Sequence, residues 1–117
     1  MPYMLLIVEE PGQRGTRTRA EGEAVYEEML QFGSDLKSRG LLLAGESLSS
    51  LDDASRLKVR GGKTQVLDGP FAEAKEMIGG YFLVDCATRQ EALDIAARCP
   101  AAAWATIEVR TLGPCFT

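Results

Sequence analysis

Histidine is absent from all 117 residues. That excludes a Ser-His-Asp or Cys-His arrangement within one chain. It also excludes zinc and non-haem iron sites built on imidazole. Any acid–base chemistry falls to Asp, Glu, Lys, Tyr, Cys or Arg. Cysteine is scarce: Cys86, Cys99 and Cys115 are odd in number and have no CxxC spacing. They form no disulfide framework, and a reducing cytoplasm is the expected compartment. Each reads as a small buried hydrophobe or, for Cys115 near the C-terminus, as a reactive thiol. No apolar run approaches the roughly 20 residues of a membrane helix. The chain enters Tyr3-Met4-Leu5-Leu6-Ile7-Val8 with no basic region or cleavage site before it, so neither a signal peptide nor a membrane partner is expected. Positive charge is in deficit, with 13 Lys and Arg against 17 Asp and Glu and a net charge of −4. A phosphate backbone needs clustered cations, so no nucleic-acid partner is expected.

What is present suits one globular domain over residues 1–117, 45% hydrophobic and 26% charged. Tyr3 to Val8 reads as a strand apolar on both faces. Glu9 to Ala20 holds Pro11, Gly12 and Gly15 and reads as a loop. Its Arg14, Arg17 and Arg19 make either a solvated loop or a grip on an anionic ligand. Glu21 to Arg39 reads as a helix, with Val25, Met29, Phe32 and Leu36 in one apolar stripe. Acids crowd its start, bases its end, and Gly40 stops it. Leu41 to Leu48 reads as a strand. Arg56 to Arg60, Gly61-Gly62 and Lys63 to Leu67 read as a hairpin with one face in water. Gly79-Gly80 leads into a strand over Tyr81 to Asp85. Thr88 and Glu91 form a capping box for a helix that turns Ala92, Ile95, Ala96 and Cys99 inward and ends before Pro100. Thr106 to Arg110 alternates as the last strand.

The order is β-α-β, hairpin, β-α-β. Without the hairpin it is the split βαβ repeat of an α+β, ferredoxin-like fold. Two helices cover one face of a four-stranded sheet, yet the strands at Tyr3 to Val8 and Tyr81 to Val84 are apolar on both. A second copy packed sheet to sheet resolves the conflict, so a two-fold homodimer is expected.

Chemically distinct groups concentrate in Asp68-Gly69-Pro70-Phe71-Ala72-Glu73-Ala74-Lys75, followed by Glu76. One reading is structural: Asp68 or Gly69 caps a short helix, Pro70 takes its first position, and Ala72 to Met77 continue it to Gly79. The other is functional. Asp68, desolvated against Phe71, is the candidate catalytic acid or base. Gly69, Pro70, Phe71, Glu73 and Lys75 are candidate binding residues. Glu46 and Arg110, on strands flanking the core, are candidates too, and the Arg110 fork suits an anion. Tyr81, Phe82 and Trp104 read as core or interface anchors or as stacking surfaces. A carboxylate metal site at Asp68, Glu73 and Glu76 is opposed by Lys75 among the acids, so no metal and no cofactor are expected.

The run Asp68 to Lys75 with Gly79-Gly80-Tyr81-Phe82-Leu83-Val84-Asp85 resembles the YCII-related family, in its DGPF-containing branch. Tyr3-Met4-Leu5-Leu6-Ile7, Ala44-Gly45-Glu46-Ser47-Leu48, Ala96-Ala97-Arg98-Cys99-Pro100 and Ile107-Glu108-Val109-Arg110 look like the same branch in the same order. The resemblance implies a dimeric α+β barrel of ferredoxin-like subunits. It also implies a regulatory context, since genes of this branch are often found near extracytoplasmic-function sigma factors. The His–Asp pair suspected of catalysis in shorter relatives has no counterpart here. Ala105 stands where the branch often has Gly, beside the bulky Trp104, which would narrow a pocket. Two functions are consistent with these residues. One is a cytoplasmic homodimer that binds a small anionic ligand or serves regulation. The other is a small cofactor-independent enzyme of lyase or isomerase type using Asp68.

Overall fold

A computed structural model describes residues 1–117. Six strands and two helices run in the order β1 (Pro2–Glu9), α1 (Arg19–Ser38), β2 (Leu42–Ser47), β3 (Ser55–Arg60), β4 (Lys63–Asp68), β5 (Met77–Asp85), α2 (Arg89–Arg98) and β6 (Thr106–Thr111). The main sheet is antiparallel, in the order β2-β5-β1-β6, and β3-β4 form a separate ribbon. Taken without the ribbon, this is the ferredoxin-like α+β arrangement that the pattern of elements predicts.

Both helices pack on one face of the sheet. Along β1 the residues Tyr3, Leu5 and Ile7 are buried and alternate with half-buried Met4, Leu6 and Val8. The core joins Tyr3, Leu5 and Val84 to Leu36 of α1 and to Ala92, Ile95 and Ala96 of α2. On the opposite face, register aligns Met4 with Leu83 and Arg110, and Leu6 with Tyr81 and Glu108. That face carries no helix and remains half apolar.

The termini of α1 are set by local chemistry. Thr18 accepts from the Glu21 backbone N–H while the Glu21 carboxylate accepts from the Thr18 N–H, a reciprocal capping box. The helix therefore starts at Arg19, two residues before the position predicted from the acidic run. At the other end Gly40 adopts φ +72°, and the Leu41 N–H donates to Leu36 O at 2.9 Å. This Schellman closure needs a residue without Cβ strain at that φ.

Three expectations are corrected. The segment between Asp68 and Met77 holds turns and no helix, and its Gly69-Pro70 peptide is cis. The Gly69 N–H donates to Ala54 O, and a Cβ there would run into Leu51 O, so Gly69 is a close-approach residue rather than a helix cap. Strand β5 begins at Met77, so Gly79-Gly80 lie inside the strand. The hairpin turns at Gly61 and Gly62, both at positive φ, as a two-residue loop of this type requires. Yet every residue of β3 and β4 is exposed, on both faces. The ribbon is an arm standing off the body. The radius of gyration, 16.0 Å against about 13 Å for a compact chain near this length, reflects it.

Candidate functional site

The most developed concavity is a groove of about 720 Å³ between α1 and the sheet. Five of its lining residues are glycines: Gly22 and Gly33 on the helix, Gly45, Gly79 and Gly80 on the strands. The C-terminal half of α1 seats closely, since Leu36 is buried and the Phe32 and Phe82 rings meet edge to face at 5.1 Å. The N-terminal half lies over a floor where Gly45 and Gly80 present no side chains. Val25 and Met29 above and Ile7 and Phe82 below leave an apolar slot, of a volume typical of small-molecule sites. Tyr26 and Leu30, both about half exposed, form its lip.

One end of the groove is basic. Arg14 and Arg17 line it from the β1–α1 connection, and Arg19 lines it from the first residue of α1. Arg14 is fully committed. Its Nε donates to Glu9 Oε1 at 2.6 Å, its Nη1 to Leu48 O at 2.8 Å and its Nη2 to Gly79 O at 3.3 Å. Glu9 is 4% exposed, the one buried carboxylate, and Gly79 leaves it room, because a Cβ there would occupy the place of its Oε2. Arg19 pairs with exposed Glu23 at 2.9 Å. Arg17 is half-buried and stacks its guanidinium on the Trp104 ring, 4.5 Å from the centroid. Gln13 ties the same corner by donating to Trp104 O at 2.9 Å. Trp104 thus closes one end of the groove, in keeping with the narrowing read from its bulk.

The residues predicted for a site are not gathered in one place. Glu46 borders the groove, but its pairing with Tyr81 puts both side chains on the face opposite Gly45 and Phe82. Phe71 is buried in a second hollow of about 640 Å³ at the base of the hairpin, with Arg56 stacked on its ring at 3.8 Å and Glu76 alongside. Asp68 is exposed and accepts from Ser55 Oγ at 2.7 Å, so in the single chain the desolvation against Phe71 expected of it is missing. Gly69, Pro70, Glu73 and Lys75 line neither hollow. Asp68, Glu73 and Glu76 form no cluster with the spacing of a metal site. Arg110 sits on the helix-free face and pairs with Glu108 at 3.2 Å. For the arginines of the β1–α1 connection, the sequence favours a solvated loop over an anion grip. Their place at the groove is hidden in the sequence because it depends on where α1 lifts off the sheet. The glycines at 22, 33, 45, 79 and 80, spread over three elements, are the available signal.

Cys86 and Cys99 are buried and Cys115 is exposed. Burial pushes both inner thiols up, and the Glu91 carboxylate adds to the effect at Cys86. Neither is a poised nucleophile.

No helix is long and apolar enough to cross a membrane. A family model described as the YCII-related domain matches residues 1–115. An uncharacterised protein of Rhizobium meliloti (strain 1021) is 33% identical over 96 residues, which is 82% of this chain and 77% of that protein.

Proposed function

This chain belongs to the YCII-related family, and from its groove we propose that it is a homodimeric binding protein for a small anionic ligand, held between α1 and the sheet. The observation that carries this reading is the pairing of an apolar slot with a basic end in a protein of net charge −4. A cation left over at one end of an apolar slot draws anions to one place on a protein whose net charge is negative. Within the family we assign the chain to the DGPF-containing branch on its Asp68 to Phe71 run, and with that branch a regulatory setting beside sigma factors. Three free thiols suit the cytoplasm. The alternative of an acid–base enzyme centred on Asp68 draws no support from the exposed, Ser55-bonded position of that carboxylate.

The homodimer reading rests on burial. Only 17 of 117 residues are buried in the single chain, the helix-free sheet face is apolar at Met4, Leu6 and Leu83, and the hairpin exposes Leu57, Val59 and Val66 on one of its faces. Patches of this kind mark interfaces. Sedimentation should report a dimer at micromolar concentration, and the double substitution Met4→Lys, Leu83→Lys should convert it to a monomer. A wild-type monomer overturns the assembly. The ligand is tested by a thermal-shift screen of metabolites in matched charged and neutral pairs. Anions present well above their Kd should raise the melting temperature while their neutral partners do not. No response to any anion overturns the reading.

A further inference from the structure

Given the ligand-binding reading of the groove, on which this inference rests, the charges around it narrow the ligand class. The ion pairs of the chain are Met1–Asp85, Arg14–Glu9, Arg19–Glu23 and Arg110–Glu108. Arg14 is therefore neutralised at the basic end, and Arg19, its side chain almost wholly exposed, spends its Nε on Glu23 at the surface. Arg17 has no carboxylate within ion-pair distance, and its guanidinium donates to no protein acceptor. Glu21, the acid near enough to feel its charge, is engaged with the Thr18 backbone N–H, and that hydrogen bond is the main cause holding the Glu21 carboxyl below its usual range. Lys37, the other unpaired cation of the groove, lies at the far end of α1, about 30 Å away along the 20 residues of helix. It cannot share a small anionic group with Arg17.

Stacking on Trp104 occupies the face of the Arg17 guanidinium and leaves its N–H edges free. A half-buried guanidinium so held is pre-oriented, and little side-chain freedom remains to be lost on binding. One free fork matches the two oxygens of one carboxylate. Beyond it lies the slot of Ile7, Val25, Met29 and Phe82, with Tyr26 and Leu30 exposed along the lip. An apolar body laid there would cover groups that water now reaches.

We infer that the groove takes an amphipathic monocarboxylate, its carboxylate seated on the free edge of Arg17 and its apolar body laid along α1 over Gly45 and Gly80. A compact polyvalent anion would find one free charge and no use for the slot. Trp104 is a positioning residue: it acts on the ligand through Arg17.

The test is calorimetric titration of the intact wild-type protein with octanoate, its uncharged isostere octanamide, acetate and inorganic phosphate. Octanoate should bind, with octanamide at least tenfold weaker, since a hydrogen bond to a charged group is worth about 1.5–3 kcal/mol and 1.4 kcal/mol is tenfold. Acetate, lacking the apolar body, should not bind measurably. Arg17→Gln should lose about tenfold for octanoate and leave octanamide unchanged, which a merely structural role for Arg17 would not do. Val25→Trp, which fills the slot from the helix side, should abolish both, with circular dichroism confirming that each variant is folded. Equal binding of octanoate and octanamide overturns the Arg17 seat. Phosphate bound through Arg17 with octanoate ignored overturns the ligand class while leaving an anion-binding groove. Failure of every anion, with Arg17→Gln silent, overturns both.

Discussion

The Arg14 guanidinium meets the Glu9 carboxylate at 2.6 Å, with Glu9 almost wholly buried and Arg14 about one-third exposed. The same guanidinium reaches a carbonyl just past the end of β2 and another inside β5. One side chain thus ties the β1–α1 connection to two strands and holds the basic end of the groove in place.

The two partners should not be equivalent. Arg14→Met strands a buried carboxylate and should lower stability by about 3 kcal/mol, the usual cost of breaking a buried pair from one side. Glu9→Gln should cost less, because the amide oxygen still accepts and Arg14 keeps two carbonyls and access to water. Urea midpoints of the two variants decide it, and equal losses would show that the burial asymmetry carries no energetic weight.

Two glycines should respond with opposite signs to the same methyl group. Gly79→Ala places Cβ against the Glu9 carboxylate and 2.8 Å from Arg14 Nη2. Those side chains are fixed by their own hydrogen bonds, so an overpacking loss of roughly 1–3 kcal/mol is expected. Gly22→Ala meets nothing within 4 Å and replaces the poorest helix former short of proline inside α1. It should gain up to about 1 kcal/mol, a rise of roughly 4 °C in melting temperature. Calorimetric scans of both variants check the sign.

The inner thiols give stability a dependence on alkaline pH. Burial raises Cys86 and Cys99 in the fold, so the folded chain keeps protons that the unfolded chain releases. Their contribution is fully present below the ordinary thiol value, about 8.5, and is lost as pH rises from there through the raised folded values. Urea midpoints should fall above about pH 8.5, and the Cys86→Ala, Cys99→Ala variant should fall less steeply. At pH 8 a thiol reagent should label only Cys115 in the native protein, and all three cysteines in urea.

Much of the fold is legible in the sequence because its signals are local. Thr88 caps α2 as expected by accepting from the Glu91 N–H, though the Glu91 carboxylate accepts from the Ala87 N–H and so does not close the reciprocal box; Gly61-Gly62 turns the hairpin as expected. The stripe at Val25, Met29, Phe32 and Leu36 does face the sheet: Phe32 and Leu36 join the main core, Met29 packs on the Ile7, Cys99 and Ala101 cluster, and Val25 lies over the groove. The segment after Asp68 misleads because Pro70, Glu73 and the alanines have helical preferences, whereas Gly69 must pass against Leu51 O and Phe71 must enter a hydrophobic hollow. Tertiary packing overrides propensity there.

The order of elements, the ferredoxin-like class and the exclusion of imidazole chemistry within one chain are legible in the residues alone, since periodicity, caps and composition need no knowledge of distant residues. The groove between α1 and the sheet is not, because it forms only when distant elements meet. The groove is the space left where the N-terminal half of α1 stands over β2 and β5, and the free cation at its basic end is what remains after Arg14 and Arg19 have engaged Glu9 and Glu23. Vacant space and charge pairing are properties of neighbours in three dimensions, so Arg17 emerges as the unpaired cation of the basic end only once the chain has folded.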